Sequence, residues 1–273
     1  MHSLERLCIN LRHTSLLDQS DWLWNHLRSP YEMMVAWCER SGLERVVNGT
    51  DRLRVIPRFR SVAEVYEPDV WKHMMAQLRS GDNVADVGAY IGLYATALAK
   101  RVGESGRVIA FEPDAHNFSA LEAHCKLNGL LERVTLVQAA VGDKDGFIPF
   151  EARGDSQSCV SSVPGRQNNA VRCVRLDSVC GNGRLDILKI DVEGYEEPVL
   201  RGGARLLHDL DRKPRLIYIE VHPYAWSPMG VTSGSLLDLL ASYHYEVSDL
   251  RGQPVHEIKA YGEIVARCQA NIA

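Results

Sequence analysis

From residue 84 onward the chain repeats one pattern: a short apolar run, a stop made of acid or glycine, then apolar residues at helical spacing. The runs at 84–87, 108–111, 134–137, 185–190 and 216–221 read as buried strands. Helical spacing follows at 93–102, at 114–127 behind the cap residue Asp114, and at 195–207, bent around Gly202-Gly203. A helix opened by Pro68 and Asp69 precedes the first strand, another covers 233–243, and two more strands are expected at 245–250 and 263–267. Alternation of this kind predicts an α/β fold with a mainly parallel sheet of seven strands.

Two stretches break the rhythm. Residues 1–64 predict a mostly helical extension, with apolar Leu16, Leu17, Trp22, Leu23, Trp24 and Leu27, a break at Pro30, and a second helix over 31–38. Toward its end Arg52, Arg54, Arg58 and Arg60 are interleaved with Leu53, Val55, Ile56 and Phe59, a short ribbon with a basic face suited to an acidic acceptor or leader peptide. The second break is at 144–180, where glycine, proline and polar runs separate short alternating pieces; this predicts a β-hairpin insertion in the main domain, which spans 65–273.

The strand ends carry the chemistry. Asp86-Val87-Gly88-Ala89-Tyr90-Ile91-Gly92 is a strand, a terminal acid and a glycine turn opening a helix. Its G-x-x-x-G spacing differs from the G-x-G-x-x-G that cradles a pyrophosphate, and Asp86 before the first glycine favours an ammonium group over a phosphate. Glu112, beginning Glu112-Pro113-Asp114 after the second strand, is placed to accept both hydroxyls of a ribose. A ligand with an amino-acid end and a ribose end satisfies both acids, and S-adenosyl-L-methionine is such a ligand. Its expected site residues are Asp86, Gly88, Ala89, Tyr90, Gly92, Glu112, Pro113, Ala140 and Asp191.

Composition narrows the partners. The chain has 273 residues, 45% of them hydrophobic, and 31 basic against 35 acidic side chains give a formal charge of −4. That balance argues against a general nucleic-acid or membrane-surface protein. Seven cysteines, Cys8, Cys38, Cys125, Cys159, Cys173, Cys180 and Cys268, form no C-x-x-C pair and no zinc spacing, which fits a reducing cytoplasm. The first ten residues lack a signal-peptide core, and no window has the length of an uncharged transmembrane helix. The expected partner is a small-molecule or peptide acceptor; a homodimer stays open.

The motifs resemble the FkbM-type S-adenosylmethionine-dependent methyltransferases. The matching residues are Asp86 to Gly92, Phe111-Glu112-Pro113-Asp114, Val174-Arg175-Leu176-Asp177 and, most specifically, Asp186-Ile187-Leu188-Lys189-Ile190-Asp191-Val192-Glu193-Gly194-Tyr195-Glu196, followed by Val199-Leu200-Arg201-Gly202-Gly203 and 216–220. Tyr90 stands where that family usually has asparagine. The resemblance covers about residues 65–267 and implies the class I methyltransferase sheet, with its last strand antiparallel, and transfer of a methyl group. The family's acceptors are chiefly hydroxyls of sugars and polyketides, with amide nitrogens of modified peptides as the alternative. A non-catalytic cofactor-binding partner and a nicotinamide oxidoreductase are the rival readings. Strands four and five end in Asp191, Glu193, Glu220 and His222. An acceptor hydroxyl needs a base, and His222 or Asp191 is the natural choice, with Glu193 beside them. The same oxygen-rich group suits a divalent cation, but no H-E-x-x-H spacing is present and no metal is expected.

Overall fold

The structure is a computed structural model and describes residues 41–62, 64–160, 170–181 and 183–269. The helices expected at 16–27 and 31–38, and the tip of the insertion at 161–169, lie outside the described residues.

The basic ribbon is one arm of a hairpin. Strands β1 (Leu43–Val47) and β2 (Asp51–Val55) pair antiparallel, Leu43 opposite Val55 and Val47 opposite Asp51. Alternation buries Leu43, Val47, Leu53 and Val55 and leaves Arg52 and Arg54 outside. Asn48-Gly49, which reads in the sequence as a full stop to the helical extension, is the hairpin's turn: both residues take positive φ, as a type I′ turn requires. Arg58 lies in the 3₁₀ turn Pro57–Phe59 that follows. Arg52 pairs with Glu44 at 3.2 Å, so part of the basic face is neutralised locally.

Helix α1 (Pro68–Gln77) leads into the main sheet. Then come β3 (Asn83–Val87), α2 (Leu93–Val102), β4 (Arg107–Phe111), α3 (Ala115–Leu127) and β5 (Val134–Val137). Asp114 caps α3 as the sequence predicts, accepting from the His116 and Asn117 amides. The insertion follows as β6 (Ala140–Val141), β7 (Gly146–Glu151), β8 (Cys159–Val160) and β9 (Ala170–Val174). The expected hairpin is β7 against β9, Gly146 opposite Cys173, and β6 and β8 extend it to a four-stranded sheet. After α4 (Leu176–Cys180), the main sheet resumes with β10 (Ile187–Ile190), α5 (Glu196–Gly202), α6 (Ala204–His208), β11 (Leu216–Val221), α7 (Ser233–Ser242), β12 (Tyr245–Ser248) and β13 (Gly262–Cys268). The bend expected at Gly202-Gly203 is the break between α5 and α6.

The seven strands order as β12-β13-β11-β10-β3-β4-β5. β11, β10, β3, β4 and β5 are parallel, and β13 is antiparallel to both its neighbours. Chain order reverses between β3 and β10, so the loops leaving those two strands part and open a crevice at their carboxyl ends. Each face of the sheet has its own core. Val84, Val108, Ile187 and Tyr218 pack against α2 and α3 with Leu98 and Leu121; Val87, Phe111, Ile190 and Ile219 pack on the other side with Leu200 and Leu240. Apolar runs buried on both faces are what parallel strands require.

Candidate active site

A cavity of about 310 Å³ lies over the carboxyl ends of β3, β4, β10 and β11. Gly88, Tyr90, Glu112, Pro113, Ala140, Asp191 and Glu193 line it, as the sequence led us to expect; Asp86, Ala89, Gly92 and His222 do not. Strand alternation explains Asp86. It points with Val84 into the α2 side of the sheet, is fully buried, and neither of its carboxylate oxygens has a hydrogen-bond partner. Burial pushes its carboxyl up to about 6, against the pull of Lys189. Asp86 therefore lies beneath the rim, and its influence on a ligand is electrostatic.

The two glycines act through packing. The Gly88 and Ala89 amides both donate to Phe111 O, at 3.0 and 2.8 Å, tying the loop to the end of β4. A Cβ on Gly88 would stand 1.6 Å from Asp191 O, so β3 and β10 can lie this close only because the residue has no side chain. A Cβ on Gly92 would meet Leu121 Cδ1 at 2.4 Å, so this glycine lets α2 approach helix α3.

Glu112 organises one end of the cavity. Its Oε2 accepts from the Tyr90 amide at 2.8 Å and its Oε1 from the Asp114 amide at 2.9 Å. These bonds favour the carboxylate, yet burial outweighs them and pushes its pKa up to about 8. Tyr90 thus serves this loop through its backbone, with φ at 49°. Glu67, at φ 42°, and Glu193, at φ 52°, line the same cavity in the same left-handed conformation. Non-glycine residues in this region cost about 1–3 kcal/mol each and collect at functional sites.

Charge concentrates at the other end. Lys189, buried in β10 opposite Asp86, places its ammonium 3.0 Å from Asp191 Oδ2 and 4.6 Å from the centre of the Tyr94 ring. Glu67, Asp191 and Glu220 gather around it, and Asp191, Glu193 and His222 form an overlapping group; in each, one oxygen or nitrogen per side chain lies within 4.8 Å of the others. The Lys189 ammonium already supplies positive charge to Asp191, which both groups share, and we assign neither to a metal ion. Burial raises Glu67, Glu193 and Glu220 above the ordinary carboxylate range.

Four contributors are not apparent from the sequence. Glu67 precedes α1 in a loop without pattern; its Oε2 is buried, faces no hydrogen-bond partner, and belongs to a side chain on the cavity wall. Tyr224 and Tyr261 rise from irregular segments to the rim, donating to Glu193 Oε2 at 2.9 Å and to Glu220 Oε1. Lys189 is different: the sequence already joins it with Asp191 and Glu193 in a charge network under the rim of the sheet, and its 3.0 Å pair with Asp191 fits that expectation. Glu196 reads as an ordinary acid in a first helical turn, but is fully buried and bonded to His222.

The donor set fits the S-adenosyl-L-methionine that the sequence suggests. Glu112 retains lone pairs for hydroxyls, Phe111, Ala139, Ala140 and Phe150 offer an apolar wall, and the unpartnered Oε2 of Glu67 and the nearby Asp191 suit cationic groups. Replacing Glu112 by glutamine should weaken S-adenosylhomocysteine binding at least about tenfold, the loss expected for charge-assisted hydrogen bonds. Because the free carboxyl titrates near 8 and its charged form accepts best, wild-type affinity should rise as pH climbs from about 6.5 to about 8.5. Calorimetry across that range checks both points, and the variant should lose the pH dependence.

Comparison with known proteins finds methyltransferases. Residues 86–247 match the methyltransferase FkbM domain. Methyltransferase sdnD of Sordaria araneosa is 26% identical over 192 residues, covering 58% of this chain and 71% of that protein. Hexuronic acid methyltransferase AglP of Haloferax volcanii is 24% identical over 160 residues, covering 57% of this chain and 62% of that protein. The solved methyltransferase FkbM from Methylobacillus flagellatus KT superposes with a TM-score of 0.48 at 20% identity, over 70% of this chain and 45% of that one. The chain thus spans under two thirds of the Haloferax relative and under half of the Methylobacillus protein. No helix among the described residues is long and apolar enough to cross a membrane.

Proposed function

The chain belongs to the methyltransferase FkbM domain family, and on that premise we propose that it transfers the methyl group of S-adenosyl-L-methionine to a hydroxyl of a small molecule without negative charge. The donor supplies an electrophilic methyl on a positively charged sulfur. Everything else falls to the chain's own side chains: Glu112 and the loop from Gly88 to Tyr90 hold the ribose end, and Asp191 and Glu67 face the cationic end.

The observation that carries the reading is Glu193. It lines the cavity at the end of β10, its carboxylate held by the Tyr224 hydroxyl at 2.9 Å and facing His222 Nε2 at 3.5 Å. A base in this place takes the acceptor's proton as its oxygen gains the methyl group. Of the two bases suggested by the sequence, Asp191 is paired with Lys189 at 3.0 Å, and His222 is 1% exposed and stands behind Glu193, against the rings of Tyr224 and Tyr261. We therefore give the proton to Glu193 and a supporting part to His222.

The acceptor's charge follows from the wall. Glu67, Glu112, Asp155, Asp191, Glu193 and Glu220 line the cavity, and no lysine, arginine or histidine does among the described residues. A carboxylate or phosphate on the acceptor would meet these carboxyls with no basic side chain among the described lining residues to pair with it. The hexuronic acid in the name of the Haloferax relative belongs to a different acceptor class under this reading. The test is to incubate the enzyme with donor labelled in its methyl group and a metabolite extract split by ion exchange into anionic, neutral and cationic pools. Label should enter the neutral or cationic pool; label confined to the anionic pool would refute the charge argument.

A further inference from the structure

Three donors converge on a carboxylate that the cavity never touches. Glu196 opens α5 and is fully buried. Its Oε1 lies 2.9 Å from the Gly194 amide and 2.8 Å from His222 Nδ1, and its Oε2 lies 2.7 Å from Trp226 Nε1. Backbone and indole N–H groups only donate, so both oxygens act as acceptors, and donors on both oxygens favour the ionised carboxylate. Such a group has no proton to offer His222, so Nδ1 must carry one.

That fixes what the other ring nitrogen meets. His222 Nε2 faces Glu193 Oε2 at 3.5 Å and Glu220 Oε1 at 3.8 Å. Both are acceptors, and a bare Nε2 lone pair there would be opposed by two carboxylates; a proton on Nε2 resolves the conflict. We infer that Glu196 is a positioning residue that holds His222 as an imidazolium with Nε2–H directed at Glu193, so that Glu193 stays ionised to receive the acceptor's proton. The role given to Glu193 rests on the function proposed above.

The surroundings are consistent with this arrangement. Burial by itself would lower the imidazole, but the Glu196 bond and the nearby carboxylates Glu193 and Asp191 outweigh it and hold it above its ordinary range. Lys189 stands beyond Asp191, and the hydroxyls of Tyr224 and Tyr261 are committed to Glu193 and Glu220. Cys159 of β8 faces Glu193 from the insertion, with its thiol raised by burial and therefore neutral. Glu196 also secures the backbone that carries Glu193: it binds the amide of Gly194, whose φ of 105° and close approach to Ala225 suit glycine.

Nitrogen NMR of the full chain labelled at its histidines reads the arrangement directly, without an acceptor. In the wild type at pH 7, both His222 nitrogens should carry protons, and on raising the pH the Nε2 proton should leave first. Glu196→Gln should lower the midpoint of His222 by about one to two pH units, the shift expected for losing one charge-assisted hydrogen bond, while Trp226→Phe, which leaves the Glu196–His222 bond in place, should keep the tautomer. A wild-type ring with a bare Nδ1, or an unchanged midpoint in a folded Glu196→Gln, overturns the inference. If Glu196→Gln does not fold, the wild-type tautomer decides alone. Calorimetry with S-adenosylhomocysteine separates the two claims: failure to bind would strike the methyltransferase reading and leave the NMR result for Glu196 standing.

Discussion

Glu193→Gln should lower kcat by about 10²-fold or more while leaving S-adenosylhomocysteine affinity within a few fold. The substitution keeps the side chain's shape and an oxygen for the Tyr224 hydroxyl, but removes the site that accepts a proton. A positioned base contributes about 10²–10⁴-fold to such a step, and the donor end of the cavity does not depend on this side chain. The pH profile supplies the second arm. Burial, opposed by His222, holds the Glu193 carboxyl above its ordinary range, and only the ionised form can act. Wild-type kcat/KM should therefore rise with pH through that carboxyl's titration and then level. In His222→Asn the facing cation is gone, the carboxyl is harder to ionise, and the same limb should move to higher pH. Full activity in Glu193→Gln, measured with the acceptor recovered from the fractionated extract, would remove Glu193 from the chemistry.

Gly88→Ala should destabilise the protein by about 3–5 kcal/mol, in the range reserved for severe backbone or packing conflicts. The new Cβ would fall 1.6 Å from the carbonyl oxygen of Asp191, and main chain tied by Asp191 N–H to Val87 O just past two paired strands cannot swing aside as a side-chain tip can. A φ of 84° adds its own cost for any residue with a Cβ. Gly230→Ala separates the two terms: φ there is 69° and nothing lies within 4 Å of the added atom, so only the conformational cost of about 1 kcal/mol should appear. Denaturant midpoints of the two variants should differ accordingly, with the slope unchanged. Similar losses at both positions would mean that β3 and β10 can separate at little cost.

The sheet was legible because its strands are buried on both faces and each ends in a charge or a glycine. Leu216 to Val221 is apolar except where Tyr218 and Glu220 face the α2 side, and no helix of that spacing would read the same way. The hairpin at 43–55 was only half visible, since Asn48-Gly49 serves equally well as a helix stop and as a type I′ turn, and the choice depends on Leu53 and Val55 finding α2 and α3 to pack on. Acids at strand ends could be placed over the crevice, but which way each one points could not. Asp86 and Asp191 look equivalent in the sequence. One sits inside the regular strand, where alternation turns it into the core, and the other sits one residue past its strand, where the chain has turned toward the cavity. Glu196 was hidden for a different reason. Acids are common in first helical turns because they complement the helix dipole, so nothing local distinguishes one that is also sealed beneath an imidazole and an indole.

The two ends of the cavity are made of different kinds of atom. The donor end is largely main chain and small residues, namely Gly88, the Tyr90 amide, Ala139 and Ala140, with Glu112 as the main polar side chain. The acceptor end is side chain, and two of its members, Tyr224 at 70% exposure and Tyr261 at 60%, contribute little to the core. Mutation therefore has unequal freedom over the two: at the donor end a change at Gly88 disturbs the packing of β3 on β10, whereas at the acceptor end the exposed positions of the segments after β11 and before β13 can be rewritten at small cost in stability. A lineage built on this scaffold can exchange one substrate for another by revising those segments and inherit its donor chemistry intact, and directed evolution of a new acceptor preference should begin at Tyr224 and Tyr261.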